Sequence, residues 1–250
     1  MISRKAEEIK KDWERVWVES TSIEQELEQI ELEYNYVKYF KRLFAENSHI
    51  LEAGCGYGRY CLWFAKNRRK ATGIDLVDKA LKVGIRYAEE HNIDINLVEG
   101  DILNIPFSCE FDGYVSLGVL EHLRHENDVR TALEEAYRVL KPGGNAFISI
   151  PNPNGIPMIA YKRQAKSKKP DVWHSMLSIT QLAKMAHQIG FSVDESRYEG
   201  VAWSLYIILR KLFSKTPRNA YIKLYKWLNW LDYIPLVKLI AAGNYIILRK

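Results

Sequence analysis

The most informative segment of this 250-residue chain reads His49-Ile50-Leu51-Glu52-Ala53-Gly54-Cys55-Gly56-Tyr57-Gly58-Arg59. An apolar run leads into three alternate glycines, and a helical pattern follows from Tyr60. Glycines permit positive φ and let a ligand lie against backbone that a Cβ would block. In an open α/β sheet such a loop lies at the carboxyl end of the first strand, where ligands bind. The segment therefore predicts a strand, a ligand-binding loop and a helix.

The rest of the chain repeats this alternation of strands and helices. The predicted strands are 49–53, 71–74, 95–98, 114–117, 146–150, 191–198 and 244–248. Helical patterns separate most of them, and one begins with a capping box at Ser178 and ends at Gly190. Strands that alternate with crossover helices form a doubly wound sheet. We therefore expect an α/β fold with a seven-stranded, mostly parallel sheet.

Two further parts surround the predicted sheet. Residues 1–46 carry apolar side chains at helical spacing and predict an N-terminal helical extension or cap, in which Trp13 and Trp17 share a helix face. The main domain is expected to span 47–250. Within it, 151–177 is predicted to be a basic loop, and 200–242 a helical insertion before the last strand, with a helix over Tyr221–Leu231.

The spacing of the glycines separates two classes of cofactor. The dinucleotide fingerprint Gly-x-Gly-x-x-Gly would need a glycine at position 59, where Arg59 stands. The observed Glu-x-Gly-x-Gly-x-Gly instead resembles motif I of the class I methyltransferases. This resemblance implies a Rossmann-like fold and S-adenosylmethionine as cofactor, with S-adenosylhomocysteine as product. A nicotinamide-dependent oxidoreductase is the alternative, because Asp75 also suits a ribose.

The resemblance assigns cofactor contacts at three successive strand ends. Asp75 ends the second predicted strand and would accept hydrogen bonds from the ribose hydroxyls. Asp101 follows the third strand and would face the adenine amino group, with Ile102 beside the ring. The glycine loop would pack on the amino acid half. The implied cofactor-binding residues are Glu52, Gly54, Cys55, Gly56, Gly58, Asp75, Leu76, Asp101, Ile102 and Leu117.

The fourth strand narrows the resemblance to one branch of the superfamily. Residues 111–123 look like the fourth-strand motif of the branch that includes quinone, lipid and natural-product methyltransferases, and 140–144 look like its motif before strand five. The Asn/Asp-Pro-Pro-Tyr signature of DNA and protein amide methylation is absent, since 116–119 read Ser-Leu-Gly-Val. The resemblance covers about 50–150 and leaves the acceptor undefined.

Two histidines are the candidate catalytic residues. A hydroxyl acceptor would benefit from a general base, and histidine titrates near neutral pH. His122 follows the fourth strand and is interpreted as a brace for the site rather than as a base. His174 precedes the helix that starts at Ser178 and is either an acceptor contact or a solvated loop residue. Methyl transfer needs no metal, and no metal site is predicted.

The distribution of charge suggests what the acceptor is like. Residues 201–250 hold nine basic side chains against one acid, a net charge of +8, set among aromatic residues. This composition favours a small-molecule acceptor that is hydrophobic or lipid-linked, with peripheral membrane contact through 200–242. No nucleic-acid module accompanies it. Three cysteines without paired spacing and the lack of a long apolar stretch predict a cytoplasmic protein. The alternative to an enzyme is a non-catalytic binding or membrane-surface protein.

Overall fold

The computed structural model describes residues 4–16, 23, 27, 30, 34–167, 175–212, 227–228, 231–232 and 239–250. The helices are α1 (Arg4–Val16), α2 (Tyr34–Leu43), α3 (Arg59–Lys66), α4 (Asp78–Glu90), α5 (Glu126–Val139), α6 (Ile156–Ser167), α7 (Ile179–Ile189) and α8 (Val201–Leu212). A short 3-10 helix covers Leu120–His122. The strands are β1 (His49–Ala53), β2 (Lys70–Asp75), β3 (Asn96–Glu99), β4 (Phe111–Leu117), β5 (Leu140–Pro151), β6 (Ser192–Glu199) and β7 (Gly243–Arg249).

The seven strands form one sheet in the order β3-β2-β1-β4-β5-β7-β6. Strands β1 to β5 are parallel, and β7 lies antiparallel between β5 and β6. The order reverses between β1 and β4, so this sheet has the topological switch at which α/β proteins bind ligands. The predicted seven-stranded, mostly parallel, doubly wound sheet is confirmed.

Apolar side chains cover both faces of the sheet. On one face, α5 and α7 pack on β4, β5 and β7 through a cluster that includes Leu133, Ile148 and Leu182. On the other, α2 and α3 pack on β1 and β5 through Phe40, Phe64 and Phe147. Buried strands of this kind read as nearly continuous apolar runs. The central strands are therefore held rigidly, and their carboxyl ends can position a site.

Two local predictions fare differently in detail. The capping box is confirmed, because Gln181 donates its backbone N–H to the Ser178 hydroxyl and accepts from the Ser178 N–H. The fifth strand, predicted over 146–150, extends back to Leu140, so residues 141–144 lie within β5, where pairing with β4 jumps from Leu140 to Asn145. These four residues form an irregularity at the start of the strand, and Gly143 there has φ +80°.

The basic segment 151–177 is not a loop throughout, so this prediction is wrong. Helix α6 occupies 156–167, and Gly155 accepts the backbone N–H of Ile159 in its first turn. Pro157 lies in that first turn, where a proline costs no intrahelical hydrogen bond. Lysine and arginine are good helix formers. A run of basic residues is therefore compatible with a helix and does not by itself indicate irregular chain.

The insertion between β6 and β7 is described in part. Helix α8 begins directly after Gly200, and Asp232 accepts the N–H groups of Gly200 and Val201 at 3.3 and 3.1 Å. These bonds satisfy donors that a helix leaves unpaired at its start. Of the predicted helix over 221–231, positions 227 and 228 are helical, and 221–226, 229 and 230 lie outside the described residues.

The described parts of the chain contain no helix that is both long enough and apolar enough to cross a membrane.

Candidate active site

A cavity of about 350 Å³ opens at the carboxyl ends of the central strands. Its wall combines the loops after β1, β2, β3 and β4 with two side chains of α1. Nine of the ten predicted cofactor residues line it: Glu52, Gly54, Cys55, Gly56, Asp75, Leu76, Asp101, Ile102 and Leu117. Strand ends that are spread over the chain from Ala53 to Leu117 are thus brought to one site.

The glycine loop lies against β2 and the chain after β4. Gly54 has φ +76°, and its N–H donates to the Ile74 carbonyl at 2.8 Å. A Cβ at Gly54 would approach Cγ2 of Val119 to 2.5 Å. A side chain there would face both an unfavourable φ and a clash. The first glycine of the motif is therefore required by the turn and by close packing beside the cavity.

Gly58 is the exception among the predicted cofactor residues, because it does not line the cavity. It has φ +73° immediately before α3, and a Cβ there would approach Cδ2 of Leu97 to 2.8 Å. Its glycine is explained by the start of the helix and by packing on β3. Resemblance alone could not separate this structural role from ligand contact.

Asp75 holds the glycine loop by hydrogen bonds to backbone. One carboxylate oxygen accepts the N–H of Gly56 at 2.8 Å, and the other accepts the N–H of Val77 at 2.9 Å. Burial raises the pKa of this carboxyl, and the two N–H groups oppose the shift. Each carboxylate oxygen has two lone-pair sites. Asp75 can therefore anchor the loop and still accept hydroxyl groups from the cavity.

A second acid lies across the cavity from the loop. Asp101 accepts the Leu103 N–H at 2.9 Å through one oxygen, and burial raises its pKa. Asp128, from the first turn of α5, also lines the cavity, and its charge contributes to the raised pKa of Asp101. The apolar side chain of Ile102 lies beside them. This end of the cavity combines hydrogen-bond acceptors with an apolar side chain.

Glu52 is a buried carboxyl at the base of the glycine loop. It accepts the backbone N–H of Cys61 at 2.9 Å, which ties the end of β1 to α3. Burial raises its pKa to about 7, and the Cys61 N–H and the Arg59 guanidinium oppose this shift. Arg59 also lines the cavity, stacked on the ring of Tyr60 at 4.7 Å. The end of the cavity beside the glycine loop thus contains an acidic side chain, Glu52, and a basic side chain, Arg59.

His122 lies on the cavity wall in contact with α1. Its ring meets the ring of Trp13 edge to face, with centroids 4.8 Å apart, and its Nε2 lies 3.7 Å from a Glu121 oxygen. Burial raises the pKa of Glu121 to about 8. The other Glu121 oxygen is buried without a hydrogen-bond partner in the described structure. His122 therefore joins the N-terminal helix to the chain after β4.

His174 lies outside the described residues. The next described residue, Ser175, donates its backbone N–H to the Glu121 carbonyl at 2.6 Å. Ser175 thus lies beside the 3-10 helix that carries His122.

Several wall residues were not singled out by sequence reasoning. They are Ile9, Tyr57, Tyr60, Val77, Leu103, Gly118, Val119, Leu123 and Asp128. Most are neighbours of motif residues, so their positions beside strand ends were a usable signal. Ile9 and Asp128 had none, because their approach depends on how α1 and α5 pack. The described residues contain no group of three or more His, Cys, Asp or Glu suited to a metal ion.

Comparisons with known proteins agree with this geometry. Residues 50–144 match a family model described as a methyltransferase domain. Demethylmenaquinone methyltransferase of Listeria monocytogenes is 31% identical over 173 residues, which cover 59% of this chain and 71% of the relative. The residues that match the family model include the whole glycine motif from Glu52 to Gly58.

Solved structures share the fold at low identity. An S-adenosylmethionine-dependent methyltransferase from Methanosarcina mazei has a TM-score of 0.62 at 16% identity and covers 85% of this chain and 96% of its own. Phosphoethanolamine N-methyltransferase 2 of Haemonchus contortus, in complex with S-adenosyl-L-methionine, has a TM-score of 0.60 at 19% identity, covering 87% and 52%. Fold, motif and relatives agree: the chain belongs to the class I S-adenosylmethionine-dependent methyltransferases.

Proposed function

We propose that S-adenosylmethionine binds across the glycine loop, with its ribose at Asp75 and its adenine beside Asp101 and Ile102. The observation that carries this placement is the single cavity at which the ends of β1, β2 and β4 and the loop after β3 meet. Its volume of about 350 Å³ lies within the range of about 300–1,000 Å³ that is typical of small-molecule sites.

The residues on the wall suit this cofactor. Asp75 retains lone pairs for two ribose hydroxyls after it has bound the Gly56 and Val77 N–H groups. Asp101 offers an acceptor to an amino group, and Ile102 offers an apolar surface to a ring. Arg59 supplies a positive charge to a carboxylate at the loop end, where the amino acid half would lie.

Bound S-adenosylmethionine supplies an activated methyl group carried on a sulfonium. The chain has to align this group with an acceptor and keep water away. Trp13 and Ile9 close the cavity from α1, while Leu117 and Val119 make the wall after β4 apolar. Most of the rate enhancement is therefore expected from positioning.

The two histidines are proposed to act differently. His122 is held between Trp13 and Glu121, which suits a brace that fixes the covering helix rather than a base. His174 is proposed to touch the acceptor, since Ser175 after it binds beside the 3-10 helix. His174→Ala should lower turnover or acceptor affinity and leave donor binding unchanged.

The proposed acceptor is a small hydrophobic or lipid-linked molecule. In the described part of the insertion, Trp227 is 75% exposed and Leu239 is 63% exposed. Large exposed apolar groups beside a basic segment suit a greasy ligand or the surface of an anionic membrane. The relative from Listeria, by its name, methylates demethylmenaquinone, and this supports an acceptor of the same general class.

The second candidate is a protein that keeps the fold and binds the cofactor without transferring methyl groups. The intact glycine loop and Asp75 favour cofactor binding, and they are equally compatible with this alternative. The nicotinamide alternative has lost its support, because the family model and the relatives are methyltransferases.

A labelled-transfer experiment tests the proposal. The protein is incubated with methyl-labelled S-adenosylmethionine and a cell extract, which is then separated into lipid, small-molecule and macromolecular fractions. We expect label in the lipid or small-molecule fraction. Label in nucleic acid or protein would overturn the proposed acceptor. Calorimetric binding of S-adenosylhomocysteine without label in any fraction would favour the non-catalytic alternative.

Vesicle sedimentation tests peripheral membrane contact. Anionic vesicles should bind the protein at low salt and release it at high salt, because the Debye length falls from about 10 Å at 0.1 M to about 3 Å at 1 M. Trp227→Ala should weaken binding. No sedimentation at any salt concentration would contradict membrane contact and leave the methyl-transfer proposal untouched.

A further inference from the structure

A second polar cluster lies one strand away from the cavity, and the mechanism above does not use it. It consists of Tyr36 from α2, Ser149 near the end of β5 and Glu199 at the end of β6. The Tyr36 hydroxyl donates to a Glu199 carboxylate oxygen and lies 2.9 Å from the Ser149 hydroxyl. Three segments that are remote in sequence thus contribute one connected set of oxygen atoms.

The cluster lies at the edge of the sheet where the cofactor is proposed to bind. Ser149 is in register with Leu117, which lines the cavity, and the Ser149 carbonyl accepts the Gly118 N–H at 3.0 Å. Residues in register on neighbouring strands lie about 4.8 Å apart. Strand β6 runs parallel to β5 because both are antiparallel to β7. Glu199, the last residue of β6, therefore lies at the same carboxyl ends of the strands as the cavity.

Burial within the cluster is graded. Ser149 and Glu199 are 7% and 6% exposed, whereas Tyr36 is only partly buried. A buried carboxylate is costly unless hydroxyl or N–H groups bind it. Tyr36 is therefore the most exposed residue of the cluster, and its hydroxyl lies close enough to Tyr60, a residue of the cavity wall, for the two to interact electrostatically.

The directions of the hydrogen bonds determine whether the Tyr36 oxygen can accept a further hydrogen bond. The Tyr36 hydroxyl gives its proton to Glu199, and Ser149 can donate to the Tyr36 oxygen. A phenol oxygen has two lone-pair sites, so one remains for a donor from the acceptor side. Burial and the Glu199 charge raise the pKa of Tyr36 well above its ordinary value, which keeps the hydroxyl protonated and donating.

We propose that Tyr36 and Glu199 form the proton-accepting group for the methyl acceptor, which carries a hydroxyl. The inference rests on the proposed methyl transfer. The acceptor hydroxyl donates to the Tyr36 oxygen. As the acceptor forms its bond to the methyl carbon, the carbon–sulfur bond breaks and its electron pair stays on sulfur. The acceptor proton passes to the Tyr36 oxygen while the Tyr36 proton passes to Glu199.

In this arrangement each residue has a separate role. Tyr36 is the catalytic residue, because it touches the acceptor. Glu199 is the final proton acceptor, and Ser149 is a positioning residue that fixes the Tyr36 oxygen.

The neighbouring tyrosine of the same helix provides a matched control. Tyr39 lies one turn after Tyr36, is buried, and shares a hydrogen bond with the hydroxyl of Tyr245. Tyr245 in turn bonds Glu195, which is paired with Arg42 on the exposed side. Tyr36→Phe and Tyr39→Phe each remove one tyrosine hydroxyl that contacts the sheet. They differ in the partner of that hydroxyl, which is Glu199 for Tyr36 and Tyr245 for Tyr39.

The experiment measures label transfer with the extract fraction that the wild-type protein labels. Tyr36→Phe and Glu199→Gln should lower the rate at saturating donor by about 100-fold or more, the lower range for general acid–base catalysis. Glu199→Asp should recover part of the rate, and Ser149→Ala should lose less than Tyr36→Phe. Tyr39→Phe should stay within about twofold of the wild type, as should binding of S-adenosylhomocysteine to Tyr36→Phe.

Equal rates in Tyr36→Phe and Tyr39→Phe would overturn the inference and leave methyl transfer standing. A loss of S-adenosylhomocysteine affinity in Tyr36→Phe that matches its loss of rate would also overturn it, because the tyrosine would then support the fold. If the wild type labels no fraction, the proposed function fails first, and this inference fails with it.

Discussion

The proposed cofactor site and the proposed acceptor site, both at the carboxyl ends of the strands, are built from different kinds of sequence; they are called the cofactor half and the acceptor half below. Around the cavity, the wall residues lie at the end of a strand or within two residues after it, such as Gly54, Asp75 and Asp101. In the acceptor half, Tyr36, Ser149 and Glu199 are separated by 113 and 50 residues and meet through packing. Local motifs therefore reveal the first site, while the second depends on the assembled fold.

The largest effect that tests this contrast is expected at the glycine loop. Gly54→Ala places a Cβ at positive φ and 2.5 Å from Val119. The backbone cost is about 1–2 kcal/mol, and overpacking adds about 1–3 kcal/mol. We expect a loss of unfolding free energy equal to their sum, together with weaker donor binding.

Gly143→Ala is the matched control for Gly54→Ala. Gly143 also has positive φ, at +80°, but a Cβ there meets nothing within 4 Å. Chemical denaturation should show the backbone cost alone, with unchanged donor affinity. Equal losses in the two variants would mean that the packing of Gly54 against Val119 contributes nothing.

A substitution in α1, the helix that closes the cavity, should have the next largest effect. Trp13→Ala removes an aromatic wall of the cavity and the edge-to-face contact with His122. An aromatic pair contributes about 0.5–1.5 kcal/mol beyond burial, so donor affinity should fall about tenfold. Calorimetry with S-adenosylhomocysteine measures this. Trp227→Ala, which changes a 75% exposed tryptophan, should leave donor affinity unchanged. The opposite pattern would place the cofactor in the other half.

Acid groups buried near the cavity predict a pH dependence of stability. The folded pKa of Glu121 is about 8 and the unfolded value is about 4.3, so the folded state binds more protons between these values. Stability should therefore fall as pH rises through this window, by a few kcal/mol at most. Glu121→Gln should flatten this fall. Thermal unfolding from pH 5 to 9 measures it, with exposed Glu134→Gln as control. A fall equally steep in Glu121→Gln would refute the assignment.

The smallest effect is expected at the surface ion pairs of α1. Arg124 lies 3.3 Å from both Glu8 and Asp12. Exposed pairs contribute about 0.2–1 kcal/mol, so Arg124→Gln should change donor affinity by less than about fivefold, and the change should vanish at high salt. Arg68→Gln, which loses a pair with Glu46 away from α1, should have no effect. A larger change for Arg124→Gln would show that α1 is held chiefly by charge.

The sequence could predict the sheet and most of the cavity for a physical reason. A strand, its glycine loop and the acid that follows lie within a few residues, so their pattern survives without knowledge of packing. The role of Gly58 was missed because its neighbour Leu97 belongs to β3. The helix at 156–167 could not be predicted in the same way, because a run of basic residues occurs both in loops and in helices.

The acceptor half was less predictable. Tyr36 is one of several aromatic residues of the predicted N-terminal cap, with nothing in its spacing to single it out, and Ser149 and Glu199 belong to no local pattern. Their hydrogen bonds follow from how α2 crosses β5 and β6, which periodicity does not specify. His174 and most aromatic residues of 200–242 lie outside the described residues, so their proposed roles stay predictions.

The most direct test is calorimetric binding of S-adenosylhomocysteine to the wild type, Asp75→Ala and Asp112→Ala. Both acids accept a backbone N–H at 2.8 Å. Asp112, however, lies at the amino ends of the strands, away from the cavity, where it accepts the backbone N–H of His49. A hydrogen bond to a charged group contributes about 1.5–3 kcal/mol, so Asp75→Ala should weaken binding by about 10- to 150-fold. Asp112→Ala should bind as the wild type does. Unchanged affinity in a folded Asp75→Ala protein would contradict the placement of the cofactor.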